Sequence, residues 1–401
     1  MFNFIENGTV TTVKGFKAAG IYCGIKKKKK DLALIYSEYP CSAAGTFTLN
    51  KVKAAPLQIS KKVIMNKKPV HAVLVNSGNA NACTGEEGYK DAKISQKYCA
   101  DKLGIKPNEV LISSTGVIGK RLPMETLLSG IDAIIPQLTE DGGCTAAEAI
   151  MTTDTKLKSY AVKVTLEQGE VTIGAICKGS GMIMPNMATM LAFITTDAAF
   201  EQTLLQKTLR ATVKNTFNKI SVDGETSTND MVVLMANGIS GISLKENSTG
   251  LAAFEEALEA LCREMAKSIV SDGEGATKLV TINVKGAGSQ QDADLIGKSV
   301  ANSSLVKTAI YGRDANWGRI MSAAGMSGAK LDPGKMSISF NDVPVLKPGY
   351  QIVLDEAAAL SVLSLKEFEI NIDLEAGQKS ATWWTCDFTE DYIKINAEYR
   401  T

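Results

Sequence analysis

A single histidine, His71, stands in this 401-residue chain, and that scarcity narrows the chemistry open to it. A Ser-His-Asp triad, a Cys-His dyad or a zinc cage of several imidazoles would all have to use that one ring. It begins the apolar run "VHAVLV", which suits a structural role. The glycine pairs fail on spacing. "GSGMIM" lacks the third glycine of a dinucleotide loop, and "GVIGKR" and "GEGATK" miss the phosphate-loop pattern. One base needs no imidazole. A free α-amine, with a reference pKa of about 7.7 to 8.0, is partly neutral at physiological pH. A threonine at a new N-terminus carries that amine and its hydroxyl nucleophile on one residue.

Thr189 fits this role. It lies in "GSGMIMPNMATMLAFITT", residues 179–196, which contains no charged side chain. Attack of its hydroxyl on the Ala188 carbonyl, then an N-to-O acyl shift and hydrolysis, would leave Thr189 as the first residue of a new chain. A small alanine on the acyl side and a Gly- and Pro-containing approach permit the tight backbone that such an attack needs. By residue type alone, a threonine before an apolar strand is nearly always an ordinary threonine, and the ordinary reading outweighs the functional one at this point.

Composition bounds the partners. Forty-four basic and forty-three acidic residues leave a net charge of +1, so no global field draws the chain to nucleic acid or an anionic membrane. A small-molecule partner is expected. The start, "MFNFIENGTV", shows neither a basic segment before an apolar run nor an Arg- and Ser-rich stretch, and eight cysteines form no C-x-x-C pair. A reducing, cytoplasmic setting is the expectation. The uncharged run is about long enough to cross a bilayer, but its glycines, proline and asparagine favour a buried turn leading into a strand at 190–195.

The elements that must position these residues alternate between strands and helices. Strands are expected at 31–37, 70–75, 160–166, 171–177, 231–236 and 278–284, and helices at 89–103, 201–217 and 250–270. A short strand ends at Leu111 and Ile112 and runs into the loop "SSTGVIG". The C-terminal part reads as richer in strands, at 336–340, 368–372 and 392–398. No repeat, linker or domain boundary is evident. The lysine run Lys26–Lys30 sits where a hairpin turns and reads as a solvated tip. Asp223 and Asp230 occupy a polar stretch without the spacing of a calcium loop and read as structural; no metal is expected.

The stretch "KGSGMIMPNMATMLAFITTDA" closely resembles the signature of the ornithine acetyltransferase family, whose members cleave themselves between the alanine and threonine of "MAT". The blocks "KGFKAAGIYCGIK", "NSGNANACTG", "SSTGVIG", "SVDGETSTND", "DGEGATK" and "YGRDANWGR" also resemble family blocks, in family order, across almost the whole chain.

The resemblance implies a set of roles. Thr189 is nucleophile and, through its freed amine, base; Ala188 and Thr189 flank the cleavage point. Thr115 and Gly116 form the oxyanion hole, where each donor is worth about 3 to 4 kcal/mol. Thr153, Lys178, Thr189, Glu274, Asn396 and Thr401 contact substrate: Lys178 suits an α-carboxylate, Glu274 an ammonium or a proton transfer. The implied reaction is ping-pong transfer of acetyl from N2-acetylornithine to glutamate, with acetyl-CoA as a further possible donor and no cofactor. The implied fold is α/β, a mixed α-β-β-α sandwich resembling N-terminal-nucleophile hydrolases with different connectivity. The implied assembly is an α2β2 heterotetramer of chains 1–188 and 189–401. Two alternatives stay open: a self-processing aminopeptidase or amidase that uses water as acceptor, and an uncleaved binding protein for acetylated amino acids.

Overall fold

The runs "LALI" and "VHAVLV" carry apolar residues on both faces, a pattern that needs cover on both sides of a sheet. The computed structural model, which describes residues 1–184 and 190–398, supplies it. Leu32, Leu34, Ala72 and Leu74 face one core with the helices Ala55–Met65, Gly85–Leu103 and Met124–Ile134. Their neighbours Ala33, Ile35, Val73 and Val75 face another, shared with Leu191, Phe193, Met231, Val233 and the helix Gly143–Ile150. Each of the valines, leucines, isoleucine, phenylalanine and methionine among them contributes roughly 1.5 to 3 kcal/mol when withdrawn from water.

The chain divides into two units. The first comprises residues 1–179, 190–218 and 225–265 among those described, and the second residues 180–184, 219–224 and 266–398. The sequence shows no linker because the second unit draws two short segments from inside the first.

The first unit holds a nine-stranded sheet in the order Phe2–Ile5, Lys158–Leu166, Gly169–Lys178, Leu191–Thr196, Met231–Ala236, Leu32–Phe47, Val70–Asn79 and Val110–Val117, with Phe16–Ile21 paired to the long strand Leu32–Phe47. Two pairings are parallel: Leu191–Thr196 with Met231–Ala236, and Val70–Asn79 with Val110–Val117. The long strand slips register between Tyr36 and Cys41. Its first half joins Val70–Asn79 and its second half joins Met231–Ala236. Gln202 and Gln206, on the helix Gln202–Asn215, bond the backbone of Ala43 and Gly45 on that second half.

The second unit holds a seven-stranded sheet in the order Gln351–Ile352, Val343–Lys347, Ser337–Phe340, Glu367–Asp373, Leu279–Ala287, Lys379–Cys386 and Ile220–Ser221. The helices Gln290–Asn302, Trp317–Gly325 and Glu356–Leu363 share one core with it, through Ile296, Val300, Ile320 and Leu363 packed among Val280, Ile282, Ile338 and Ile370. The expected mixed α/β class is what the structure shows, as two sheets with helices. No helix among the described residues is long and apolar enough to cross a membrane.

Most expected elements lie where the sequence puts them. The helix at 89–103 starts earlier, as Gly85–Leu103, and ends at Gly104 with φ +70, a conformation that glycine adopts without strain. Three expectations are corrected. The strand ending at Ile112 continues to Val117, because Val70–Asn79 offers it a parallel ladder through the "SSTGV" residues. The strand expected at 392–398 is instead the helix Glu390–Ala397. Glu390 and Asp391 sit in its first turn, where acidic groups favour a helix start, and Ile393 is exposed, with no sheet face to receive its alternation. The lysine run is not wholly a solvated tip: Lys26 is half-buried, and its Nζ donates to the carbonyls of Lys30 (2.8 Å) and Met151 (2.6 Å).

Candidate functional site

Ala188, Thr189 and Thr401 lie outside the described residues. The other candidate residues fall into two groups, one in each unit.

In the first unit, Thr115 and Gly116 close the strand Val110–Val117, opposite Ser77 and Gly78 of the parallel neighbour. There the ladder slips, so that Asn79 faces both Thr115 and Val117, an irregularity that re-aims the backbone. Gly116 holds φ +126, and a Cβ there would stand 2.4 Å from the Gly78 carbonyl carbon. Only glycine fits. Where the ladder fails, side-chain amides take over. Asn76 Nδ2 donates to the Asn79 carbonyl (2.9 Å), Asn79 Nδ2 to that of Arg121 (2.9 Å), and Asn229 Nδ2 to those of Ala80 and Ser114 (both 2.7 Å). Thr115 and Gly116 are half-buried at an end held by neutral groups. A preset, uncharged frame of this kind suits donors that await a developing oxyanion.

Thr153 is half-exposed in the bend after the helix Gly143–Ile150. Lys178 is the last residue of the strand Gly169–Lys178 and is 5% exposed. Asp154 ties their backbones together. Its buried carboxylate accepts from the Thr152 N–H (3.0 Å), the Gly179 N–H (2.7 Å) and Lys158 Nζ (2.8 Å). Burial opposes its ionisation, but the charges of Lys178 and Lys158 and the bonds it accepts outweigh that cost. They hold the carboxyl well below the usual carboxylate range. Ser77, across the ladder from Thr115, donates to the Ala149 carbonyl, so the strand pair that holds Thr115 and the Thr153 bend meet through one helix end.

The lysine loop anchors on the same bend. Asp31 accepts from the N–H groups of Cys23 (2.7 Å), Gly24 (3.1 Å) and Lys26 (2.8 Å). Burial lowers the Lys26 ammonium to about 8, against the opposing pull of Asp31 and with help from Lys29 and Lys178. Asp230 sits just before the strand Met231–Ala236, where the Met231 N–H donates to the Met190 carbonyl (3.1 Å). Its Oδ2 finds no hydrogen-bond partner among the described residues, and burial pushes this carboxyl well above its ordinary value, with Met190, Thr48 and Lys178 opposing only in part.

In the second unit, Glu274 and Asn396 come together across 122 residues of chain: Asn396 Nδ2 donates to Glu274 Oε2 at 2.8 Å. Glu274 is 8% exposed, and its N–H donates to the Ser180 carbonyl (2.9 Å). Gly181 lies flat against its carboxyl, where a Cβ would stand 2.3 Å from Cδ. Asp223 accepts from the successive N–H groups of Met182 and Ile183 and from Tyr392 Oη (3.4 Å). Met182, between these bonds, has φ +58. The segment 180–184 is therefore fixed by the groups that hold Glu274 and Asp223. Asp223, which the sequence marks as structural, bonds that backbone.

The described residues contain no cluster of His, Cys, Asp and Glu that could hold a metal ion. His71 Nδ1 pairs with the Ser37 carbonyl at 3.0 Å, a structural role. Sequence reasoning missed Asp154 and Asn229. Asp154 left one readable signal, a lysine four residues on at Lys158. Asn229 left none, because its partners are carbonyls 115 and 149 residues away.

A family model described as the ArgJ family matches residues 17–401. The arginine biosynthesis bifunctional protein ArgJ of Symbiobacterium thermophilum is 48% identical over 398 residues, covering 98% of this chain and 99% of that protein. The protein of the same name from Thermotoga neapolitana is 48% identical over 395 residues, covering 97% and 99%. Among solved structures, the arginine biosynthesis bifunctional protein argJ of Bacillus halodurans is 42% identical over 51% of this chain and 96% of that one, with a TM-score of 0.49.

Proposed function

The chain belongs to the ArgJ family, and from that premise we propose that it transfers an acetyl group from N2-acetylornithine to glutamate through an acetyl-Thr189 intermediate. The observation that carries the reading is the end-to-end match with bifunctional proteins of arginine biosynthesis. The site geometry supports it, because the strand end at Thr115–Gly116, the buried cation of Lys178 and the Glu274–Asn396 pair each match one requirement of the chemistry.

In this reading the Thr189 hydroxyl first attacks the Ala188 carbonyl. An N-to-O shift and hydrolysis give chains 1–188 and 189–401, which assemble as an α2β2 heterotetramer in the cytoplasm. The freed amine then takes the hydroxyl proton as the oxygen attacks the acetyl carbonyl. The oxyanion forms beside Thr115 and Gly116, worth about 3 to 4 kcal/mol per donor. Collapse expels ornithine, whose nitrogen takes the proton back. The amine of glutamate then attacks acetyl-Thr189 and leaves as N-acetylglutamate. Lys178 meets an α-carboxylate, Glu274 with Asn396 meets an ammonium, and Thr153 and Thr401 line the substrate. Acetyl-CoA is a second donor, in keeping with the bifunctional names of the relatives.

The test is the intact mass and N-terminal sequence of the purified protein beside the Thr189→Ala variant, followed by ornithine release with and without glutamate. We expect two fragments in the native protein, one beginning Thr-Met-Leu-Ala-Phe, and one chain in the variant. Glutamate should accelerate ornithine release and appear acetylated. A single intact chain in an active protein overturns the nucleophile. Release into water, indifferent to glutamate, replaces the transferase with an amidase.

A further inference from the structure

We propose that Asn229 is a positioning residue for the oxyanion-stabilising strand end, setting the backbone that presents Thr115 and leads into Gly116. The inference rests on the acetyl-transfer reading above.

Four observations lead to it. Asn229 is 7% exposed, and both of its amide hydrogens are used, on the carbonyls of Ser114 and Ala80 at 2.7 Å each. Both partners can only accept, so the nitrogen must face them; the remaining oxygen accepts from the Thr228 hydroxyl. The orientation of the amide is thereby fixed from both ends. The Ser114 carbonyl belongs to the same planar peptide as the Thr115 N–H, so holding the oxygen fixes the direction of the N–H and the path into Gly116. The need for such a hold is local. Among the described residues, Val110–Val117 is the last strand of its sheet with one neighbour, and its ladder to that neighbour slips at Gly78 and Asn79.

The other side of the link lies toward the nucleophile's strand. Two residues after Asn229, Met231 pairs in parallel with Leu191, which follows Thr189 by two positions in the sequence. Further bonds seat the same stretch: the Ala54 N–H donates to the Thr228 carbonyl (3.0 Å) and the Thr48 N–H to the Asp230 carbonyl (3.0 Å). Asn229 therefore connects the frame around Thr115 to the backbone that runs beside Met190 and Leu191. Precise spacing between nucleophile and oxyanion donors is what such chemistry requires, since a misplacement of about 1 Å costs on the order of 100-fold.

The experiment is a double-mutant cycle on the self-processed enzyme with N2-acetylornithine and glutamate, using Asn229→Ala, Thr115→Val and the pair. Expected for Asn229→Ala is a fall in kcat of about 100-fold, with the KM for N2-acetylornithine within about threefold of native. In the double variant the two losses should fall well short of multiplying, because both act on one strand end. Losses that multiply, or a kcat within threefold of native, overturn the proposal. Asn229→Ser, which keeps one donor, serves if the alanine variant does not fold. Failure of both to fold also overturns it, since the amide would then serve stability. A native protein without acetyl transfer overturns both this inference and the reading beneath it, whereas an active native protein with indifferent Asn229 variants overturns the inference alone.

Discussion

Asp154 and Asp230 are 2% exposed, lie in the same unit and sense the same Lys178, yet their carboxyls move in opposite directions. Around Asp154 the chain gathers Lys158 at 2.8 Å and two N–H donors, and the carboxylate stays ionised. Around Asp230 one oxygen has no partner among the described residues, and burial pushes the carboxyl well above its ordinary value. Burial does not decide the charge of an acid; what replaces the lost water does. The Asp154 region is a charged anchor between Thr152 and Gly179, whereas around Asp230 burial favours the uncharged acid.

The strongest way to break this contrast is Asp154→Ala, which leaves Lys158 buried without its counter-charge. We expect a loss of about 3 to 5 kcal/mol in denaturant unfolding. Acid should erase the difference: a depressed native pKa means that the contribution is fully present above about pH 4 and is lost as pH falls through the lower native value. A loss under about 1 kcal/mol near neutrality would show that the pair is not an anchor.

Asp230→Asn should behave in the opposite sense. The folded protein keeps a proton that the unfolded chain gives up above about pH 4, so the native protein loses stability as pH rises from there toward the raised native value. Asparagine does not titrate. The variant should lie within about 1 kcal/mol of native at pH 5 and gain on it steadily toward pH 8. A difference that stays flat over that range would mean that Asp230 is ionised in the fold.

Lys26 sharpens the contrast at smaller scale, because its Nζ contacts carbonyl dipoles rather than a carboxylate. With a native value of about 8, folding disfavours its charged form, so native stability should rise between about pH 8 and pH 10. Lys26→Met should lack that rise, a difference on the order of 1 kcal/mol after screening at its exposed side. Matching pH profiles would place Lys26 in water with Lys27, Lys28 and Lys29.

Much of the frame was legible. The both-face apolar runs identified the strands around Leu32–Ile35 and Val70–Val75, and Gly104 marked the end of its helix. Local chemistry sufficed there, since strand alternation and helix capping act within a few residues. It misled at 392–398, where the Ile393 and Ile395 alternation imitates a strand but no sheet edge takes it up. It stopped short at Thr115 and Gly116, whose strand conformation depends on a neighbour 38 residues earlier.

The sequence alone determined that any imidazole chemistry must pass through His71, and it supplied the blocks that resemble one family and, with them, the expectation that Thr189 is nucleophile and base. Only the tertiary structure decided the partners: Asp154 on Gly179 across 25 residues, Asn229 on Ser114 across 115, and Asn396 on Glu274 across 122. The physical reason is that a polar group withdrawn from water must find a partner wherever the closed chain brings one, and no local propensity reports which distant segment that will be.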